Sequence, residues 1–166
     1  MPILNHILKI PVRYLPSRLT RKDRKKQLLG LSRSRKAYKK GKYIPRPKVM
    51  SFKSQKSNHI LRAEKMYNVE RILPNRELAN KTKCSVAALK QIVKKGEGAY
   101  YSSGSRPNQT AQSWGYARLA SAITGGKASA VDYAILERGC DHRASRAYRL
   151  AKSPRFGRRH TKRVII

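Results

Sequence analysis

Apolar residues recur at helical spacing along most of the chain, and residues typical of helix ends bound the segments that carry it. Thr20, with Asp23 three residues later, resembles a capping box, and Gly41 is well placed as the C-terminal cap of the helix that follows. No alternating pattern of strand type competes with this spacing, except near the N-terminus. Helices are predicted over about residues 21–40, over 57–68, from 75, over 85–96, over about 110–123, over 129–139 and over 141–152.

The helix predicted over residues 21–40 has a narrow apolar side. Leu28, Leu31, Arg35 and Tyr38 share that side, and most of the remaining circumference is cationic. Gly30 weakens the middle of the helix by about 1 kcal/mol relative to Ala. Alone in water such a helix gains little from burial, so we expect that it needs a partner to be ordered.

The segments outside the helices are basic or apolar and lack a helical period. The N-terminal stretch MPILNHILKIPVRYLP is too short and too interrupted for a signal segment or a membrane span, and it suits a strand or a docking peptide. The tail from Ser153 onward is basic and irregular. The predicted fold class is mainly α, a small multi-helix domain with an extended basic N-terminal arm and a basic C-terminal tail. The predicted division is an arm with one helix over 1–56, a compact helical domain over 57–152 and a tail over 153–166.

The stretch GAYYSSGSRPNQT, residues 98–110, carries one charge, Arg106, in a chain that is otherwise crowded with cations. Gly98 and Gly104 permit tight turns, and Thr110 can cap the next helix. The favoured interpretation is a rigid loop that braces the helices. The alternative is a docking site for another protein, with four anchors: Tyr100, Tyr101, Arg106 and Trp114.

The net charge is +32, from 40 Lys and Arg against 8 Asp and Glu. Residues 1–56 carry 18 basic and one acidic side chain, whereas residues 99–140 carry four basic and two acidic ones. A chain with this charge repels itself, so a polyanion or an acidic surface is the expected partner. At one charge per roughly 1.7 Å, the net charge would match about 54 Å of duplex DNA, although lipid headgroups or acidic proteins satisfy the same arithmetic.

Two basic segments are predicted to bind this partner, because almost no acidic residue compensates their charge. Tyr14, Tyr38 and Tyr43 lie among the cations and could stack on bases or pack on protein. The predicted polyanion-binding residues are Arg21, Lys22, Arg24, Lys25, Lys26, Arg33, Arg35, Lys36, Lys39 and Lys40 in the first helix, and Arg155, Arg158, Arg159, Lys162 and Arg163 in the tail.

The segment 75–96 has the spacing of a helix-turn-helix, with Ala79 ten residues before Leu89. Lys83 stands where that motif usually has Gly, and a helical hairpin explains the same caps and apolar residues. The hairpin is the favoured reading, and both remain open. A recognition helix here would offer lysines for phosphates but, beyond Gln91, few side chains for base edges, so sequence-specific recognition is not expected.

The sequence contains little that indicates catalysis or a cofactor. No Ser, His and Asp set lies in a hydrolase context, and no phosphate loop has Walker spacing. Cys84 and Cys140 lie outside any metal-binding spacing and are predicted to be buried thiols rather than a disulfide. Three carboxylates, Glu97, Asp132 and Glu137, are predicted to be structural salt-bridge partners. The expectation is a non-enzymatic protein with no metal, no cofactor and no small-molecule substrate.

Three stretches carry a resemblance to a known family: YLPSRLTRKDRKKQ, SRKAYKKGKYIPRPKVMSFKSQKSNHILRAEKMYNV and KKGEGAYYSSGSRPNQTAQSWGYARLASAITGGKASAVDYAILERGC. The chain resembles a family of small basic proteins of large eukaryotic DNA viruses, including chlorella-virus-like, irido-like and marseille-like groups. The middle block also resembles a domain of some phage proteins. The resemblance covers about residues 13–152 and is most specific over 98–133. No catalytic set is established for the family, so no site residue is transferred.

The resemblance implies a viral origin and a role in the virion. The expected function is that of a minor capsid or internal capsid-associated protein, located in the capsid interior. Its basic arms would bind acidic surfaces of other capsid proteins, of an inner membrane or of the genome. The alternative is a non-specific DNA-binding or genome-packaging protein. No stretch of spanning length is present, so a transmembrane protein is not expected.

Overall fold

Eight α-helices and one two-stranded sheet form the part of the chain that the structure describes. The computed structural model describes residues 9–153 and 162–166. The predicted class, mainly α, is confirmed. The elements in chain order are β1 (Lys9–Pro11), α1 (Arg21–Lys39), α2 (Asn58–Tyr67), α3 (Arg76–Thr82), α4 (Val86–Ser102), α5 (Ala111–Ile123), α6 (Lys127–Val131), α7 (Tyr133–Gly139), α8 (Arg146–Lys152) and β2 (Arg163–Ile165).

The helix pair α4 and α5 lies at the centre of the domain, and two glycines allow its backbones to touch. A Cβ on Gly96 would lie 2.6 Å from the Cα of Gly115, and one on Gly115 would lie 2.7 Å from the carbonyl oxygen of Val93. Neither glycine ends a helix, so the prediction that the helix from Ser85 ends at Gly96 is wrong. α4 continues to Ser102 and includes the first residues of the block that was predicted to be a loop.

The main core packs around this pair with side chains from α2, α3, α7 and α8. Leu89 and Ile92 of α4 meet Leu119 and Ile123 of α5, and these side chains are fully buried. These four side chains have no contact with water, and the removal of their apolar surface from water stabilises the fold.

A buried carboxylate joins the helices at the edge of this core. Asp132, between α6 and α7, accepts hydrogen bonds from Nε and Nη2 of Arg118, both at 2.8 Å. The ammonium group of Lys95 lies 3.0 Å from the same carboxylate. The predicted structural role of Asp132 is therefore confirmed. Within residues 9–153 and 162–166, Glu97 and Glu137 form no salt bridge, so their prediction is wrong for the described part of the chain.

A second, smaller core holds the N-terminal segment and α1 against the domain. It contains Ile10, Tyr14, Leu15 and Leu31, all buried, and Trp114 packs on it with its ring 5.9 Å from that of Tyr14. The order that α1 was expected to need from a partner is thus supplied within the chain itself.

β1 pairs in antiparallel register with β2, with Ile10 opposite Val164 and Pro11 opposite Arg163. Of the two interpretations of the N-terminal stretch, a strand or a docking peptide, the strand is observed over Lys9–Pro11, and it pairs with β2 of the same chain. Residues 1–8 of that stretch lie outside the described residues. The end of the tail, which was predicted to be irregular, is therefore ordered over β2. The division of the chain at residue 56 and at residue 153 stays a prediction.

The buried side of α1 differs from the one that the apolar residues indicated. Leu31 is buried as predicted, but Tyr38 is 38% exposed. The side chains of Gln27 and Ser34 face the domain instead. Gln27 donates a hydrogen bond to the carbonyl of Tyr14, and Ser34 donates one to the carbonyl of Tyr101. The helix is therefore held by hydrogen bonds to main-chain oxygens as much as by apolar contact.

Most predicted helix ends are confirmed by cap hydrogen bonds. The hydroxyl of Thr20 accepts from the amide of Asp23, and Thr110 forms a capping box with Ser113. Cap hydrogen bonds are also observed at Ser57, Asn75 and Ser85, the positions where three helices were predicted to begin, and α2 ends at Asn68 in the left-handed conformation.

Two predicted starts in the last third of the chain are wrong. The helix expected from Ser129 is two helices, α6 and α7, and Ser129 is buried inside α6. The last helix begins after Ser145 rather than after Asp141. The carboxylate of Asp141 instead accepts from the amides of Arg143 and Ala144, so the chain turns once more before the helix starts.

Cys84 and Cys140 form a disulfide, so the prediction of two thiols is wrong. The turn between α3 and α4 and the end of α7 run antiparallel at this point, and the two residues are paired as an isolated bridge. Because the two cysteines are 56 positions apart, no local pattern in the sequence indicated this contact.

None of the helices in the described ranges is long and apolar enough to cross a membrane.

Replacing both cysteines by Ala is expected to lower the free energy of unfolding by about 4 kcal/mol, because the disulfide closes a loop of about 56 residues in the unfolded chain. Urea unfolding of the wild type with and without reductant, and of the double variant, measures this difference. The reductant should leave the double variant unchanged. Two titratable thiols in the denatured but unreduced wild type would contradict the disulfide.

Gly96→Ala is expected to lower the free energy of unfolding by about 1–3 kcal/mol, because the added methyl group forces α4 and α5 apart. Gly98, two residues later in the same helix, is the matched control, since its Cβ would meet nothing within 4 Å. Gly98→Ala should stabilise the protein by up to about 1 kcal/mol. Thermal unfolding of both variants tests the contact, and an equal gain for both would show that Gly96 is not needed for it.

Candidate polyanion interface

The solvent side of α1 is a continuous cationic surface. α1 has 19 residues and is therefore about 28 Å long. At 3.6 residues per turn, five exposed cations of α1 fall within an arc of roughly 100°, and a sixth, Lys40, follows the helix directly. We call this surface the α1 cationic face, and its members are Lys22, Lys25, Lys26, Arg33, Lys36 and Lys40. Arg21 and Lys39, also predicted to bind polyanions, are exposed beside it.

The acidic residue of α1 lies away from the α1 cationic face. Asp23 is 8% exposed, and its carboxylate accepts from the amide of Ser51 at 2.8 Å and from the Ser51 hydroxyl at 2.6 Å. These hydrogen bonds, with the nearby Lys26 and Lys22, hold the pKa of Asp23 below its usual value. We call residues 42–56, which lie between α1 and α2, the extended segment. The carboxylate of Asp23 thus fastens this segment to the start of α1.

Within residues 9–153 and 162–166, no carboxylate forms a salt bridge with a cation of the α1 cationic face. Among the described residues, the salt bridges are formed by Lys56, Lys95 and Arg118, none of which belongs to α1. The positive charge of this surface is therefore neutralised by solvent ions or by a binding partner. A polyanion that binds here would replace and release those ions.

Two of the predicted polyanion-binding residues in α1 are turned towards the domain. Arg24 donates from Nη1 to the carbonyl of Leu15 at 3.3 Å. Arg35 donates from Nε to the carbonyl of Ser103 at 2.8 Å, and burial, the largest cause, lowers its pKa. Their guanidinium groups orient the N-terminal segment and the end of α4, so these two residues contribute to packing first.

The described end of the tail places a cation beside Arg35. Arg163 lies close enough to Arg35 for its charge to contribute to the lowered pKa of that residue. Lys162 and Arg163 are exposed, as their predicted role requires. The other tail residues predicted to bind a polyanion, Arg155, Arg158 and Arg159, lie outside the described residues.

Arg46 is the residue at this site that the sequence did not indicate. Its Nη1 donates to the hydroxyl of Ser34 at 2.9 Å and to the carbonyl of Tyr100 at 2.7 Å, and its Nη2 donates to the hydroxyl of Ser105 at 2.8 Å. Its guanidinium carbon lies 3.8 Å from the centre of the Tyr100 ring. Burial, partly offset by the nearby tyrosines, lowers its pKa.

These contacts show that Arg46 joins α1, α4 and the loop after α4 through neutral oxygens and an aromatic ring. A local pattern could not reveal it, because its partner Tyr100 is 54 positions away. The only local sign was the pair of flanking prolines, which predicts an extended segment.

The loop after α4 clamps the extended segment that follows α1. The side-chain amide of Asn108 donates to the carbonyls of Val49 and Phe52, and its oxygen accepts from the amide of Val49. Asn108 adopts a positive φ of 62°, which Asn tolerates better than most residues. This arrangement favours the interpretation of the block as a bracing loop.

The four predicted docking anchors have different exposures. Tyr100 is 2% exposed, so its side chain is not available to a partner in this conformation. Tyr101 and Trp114 are half-buried, and Arg106 is exposed. Docking at Tyr101 and Arg106 stays a prediction, whereas Tyr100 and Trp114 contact Arg46 and Tyr14 within the fold.

Four tyrosines form a chain of edge-to-face contacts beside Arg46. We call Tyr38, Tyr43, Tyr100 and Tyr101 the tyrosine cluster. The ring centres are 6.0 Å apart for Tyr38 and Tyr43, 5.2 Å for Tyr43 and Tyr101, and 5.0 Å for Tyr100 and Tyr101. Exposure rises from Tyr100, which is buried, through Tyr101 to Tyr43, which is 66% exposed.

The α3 and α4 segment keeps both of its sequence interpretations. Lys83 adopts the left-handed conformation, with φ 57°, that the helix-turn-helix pattern assigns to Gly. Lys90, Gln91 and Lys94 are exposed on α4.

Among residues 9–153 and 162–166, no group of His, Cys, Asp or Glu side chains is arranged to hold a metal ion.

Comparison with known proteins places this arrangement in a family without giving it a function. The chain has no significant match among curated proteins or among solved structures. A family model does match, and the matched residues include α1, the extended segment, the tyrosine cluster and the central helix pair. The match covers residues 11–138, more than half of the chain, and the protein therefore belongs to this family, which is described as a family of unknown function (DUF5824).

Proposed function

We propose that the protein is a non-enzymatic structural protein of a virion, a minor capsid or internal capsid-associated protein located in the capsid interior. Its basic surfaces bind acidic surfaces of other capsid proteins, of an inner membrane or of the genome. The observation that carries the proposal is the α1 cationic face, which is exposed and has no carboxylate partner among the described residues. The assignment to a virion is based on the resemblance of the sequence to proteins of large DNA viruses.

The way in which α1 is held supports a binding role for its outer side. The Thr20 cap, the bonds of Asp23 to Ser51 and the contacts of Arg46 fix the helix before any partner binds. A fixed helix loses little conformational entropy on binding, so more of the electrostatic gain appears as affinity. An unpaired cationic surface of this kind binds by charge and shape rather than by reading a sequence.

A non-specific DNA-binding or genome-packaging protein is the second candidate. The specific observation in its favour is a second exposed cationic position, formed by Lys90 and Lys94 on α4, after the left-handed turn at Lys83. The charge of a lysine is suited to contact with a phosphate, and Gln91 is the one side chain beside these lysines that could hydrogen-bond to a base edge. Binding would therefore not depend on sequence.

Fractionation of purified virions into shell and DNA core distinguishes the two candidates. The capsid proposal predicts recovery of the protein with the shell, measured by quantitative mass spectrometry. A major capsid protein and a known core protein serve as controls for the separation. Recovery with the core alone would replace the first candidate by the second, and absence from virions would contradict both.

The α1 cationic face is tested by a charge-matched pair of variants. Lys22→Gln/Lys26→Gln/Lys36→Gln removes three cations from one side of α1 and is expected to weaken binding to duplex DNA, used as a generic polyanion. If each lysine neutralises one phosphate, the slope of log K against log salt should fall in magnitude by about 2.7. Fluorescence anisotropy at several salt concentrations measures this slope.

The control variant is Lys65→Gln/Lys81→Gln/Lys127→Gln, which removes the same charge from exposed positions on α2, α3 and α6. Its slope should remain close to that of the wild type. Equal losses in the two variants would mean that net charge, and not the α1 cationic face, determines binding.

A further inference from the structure

We propose that the exposed part of the tyrosine cluster, Tyr43 with Tyr38 and Tyr101, is a stacking platform for the unpaired bases of single-stranded nucleic acid. The inference goes beyond the proposed function, because the α1 cationic face requires only negative charge in its partner, whereas a stacking platform requires bases. It depends on a different observation, the exposure of aromatic rings within a cationic surface.

Tyr43 is the most exposed member of the cluster and lies between two other rings. It is 66% exposed, with Tyr38 on one side and Tyr101 on the other at ring-centre distances of 6.0 and 5.2 Å. A large aromatic surface left in water is unfavourable, and covering it with the flat face of a base removes it from solvent.

The backbone on both sides of Tyr43 is fixed. Before it, Gly41 has a φ of +73°, and the amides of Gly41 and Lys42 donate to the carbonyls of Tyr38 and Ala37, both at 2.9 Å. After it, Arg46 is bound by Ser34, Tyr100 and Ser105. The ring is therefore positioned before binding, which lowers the entropic cost of stacking a base on it.

The surroundings of the platform have the charge that a nucleic-acid backbone requires. The exposed side chains of Lys39, Lys40, Lys42 and Lys48 lie along the same stretch of chain, and residues 39–56 contain no acidic residue. Cations that alternate with aromatic rings are the usual surface of proteins that bind single strands without sequence preference. An apolar protein surface that covered these lysines would remove their charges from water, which is unfavourable.

A groove beside Tyr101 gives room for a neighbouring nucleotide. It has a volume of about 290 Å³, and its walls include Arg46, Lys48 and Tyr101 together with the amide side chains of Gln109 and Gln112. The lysine can contact a phosphate, and the amides can donate to or accept from a base or a sugar. The platform and the groove are contiguous at Tyr101, so a strand could follow both.

A single strand fits this surface better than a duplex does. Bases of a duplex are already stacked and present only their edges in the grooves, so they have no free face for Tyr43. An unpaired base can turn outward and cover the ring. The preference should therefore be for an unpaired strand over a duplex and, because stacking needs a base, over an equally charged strand that lacks bases.

The test compares full-length wild type with Tyr43→Leu on three labelled probes, which are a dT 20-mer, an abasic 20-mer of equal charge and a 20-base-pair duplex. Fluorescence anisotropy at 150 mM salt measures the three affinities. We expect the wild type to bind the dT strand at least about fivefold more tightly than the abasic strand, the lower bound for one stacked base. Tyr43→Leu should lose this preference and keep its affinity for the abasic strand.

Two control variants separate stacking from other causes. Tyr43→Phe keeps the ring and should keep the preference. Ile44→Ser changes the neighbouring apolar side chain, which is 43% exposed, and should also keep it. Thermal unfolding establishes that each variant is folded. The triple lysine variant of α1 should weaken binding of all three probes by a similar factor, so failure of the cationic face and failure of the platform are distinguishable.

Equal affinity of the wild type for the dT and abasic strands would overturn the proposal, as would an unchanged preference in Tyr43→Leu. Loss of the preference in Ile44→Ser as well would show that the preference does not depend on the aromatic ring of Tyr43, and would also overturn the proposal.

Discussion

The close contact of α4 with α5 at Gly96 and Gly115 is the constraint on which the rest of the structure depends. Because a Cβ at either position would collide with the facing backbone, the two helices touch along their lengths and bury Leu89 and Leu119 between them. The contact also allows α4 to continue past Gly96 to Ser102. The last turn of α4 then carries Tyr100 and Tyr101 out of the main core and towards α1. The candidate interface is therefore built on the end of a helix whose direction two glycines determine.

α1 shows how a helix with very little apolar surface can be held in a fixed position. Its inner side offers Gln27, Ser34 and Arg35, whose side chains donate to carbonyl groups of Tyr14, Tyr101 and Ser103. Each such bond contributes only about 0.5–1.5 kcal/mol net, but together with the buried Leu31 they determine which side faces the domain. The outer side needs no apolar residue and is free to be cationic. The structural and the binding roles of this helix thus lie on opposite sides.

Arg46 connects the two parts of the candidate interface. Its guanidinium group lies over the ring of Tyr100 and donates to the hydroxyl oxygens of Ser34 and Ser105. One side chain therefore contacts α1, α4 and the loop after α4. No carboxylate neutralises it among these contacts, and burial accordingly lowers its pKa. An arginine suits this position because its planar group can stack on a ring and donate in several directions at once. The tyrosine cluster and the α1 cationic face are held in one arrangement as a result.

The sequence by itself determined the features that depend on near neighbours in the chain. The caps at Thr20, Ser57, Asn75, Ser85 and Thr110 were predictable, because a side chain that bonds an amide two or three residues later needs no distant partner. The mainly helical class and the exposed cations of α1 followed from periodicity and composition for the same reason.

Only the tertiary structure decided the features that join distant segments. Gly96 carries the same local signal whether it ends a helix or lets another backbone approach, and the position of Gly115 settles which applies. The disulfide of Cys84 with Cys140 and the contact of Arg46 with Tyr100 span 56 and 54 positions, beyond the reach of any local pattern. The aromatic residues that form the platform were visible as single tyrosines, but their assembly required α1 and the end of α4 to meet in space.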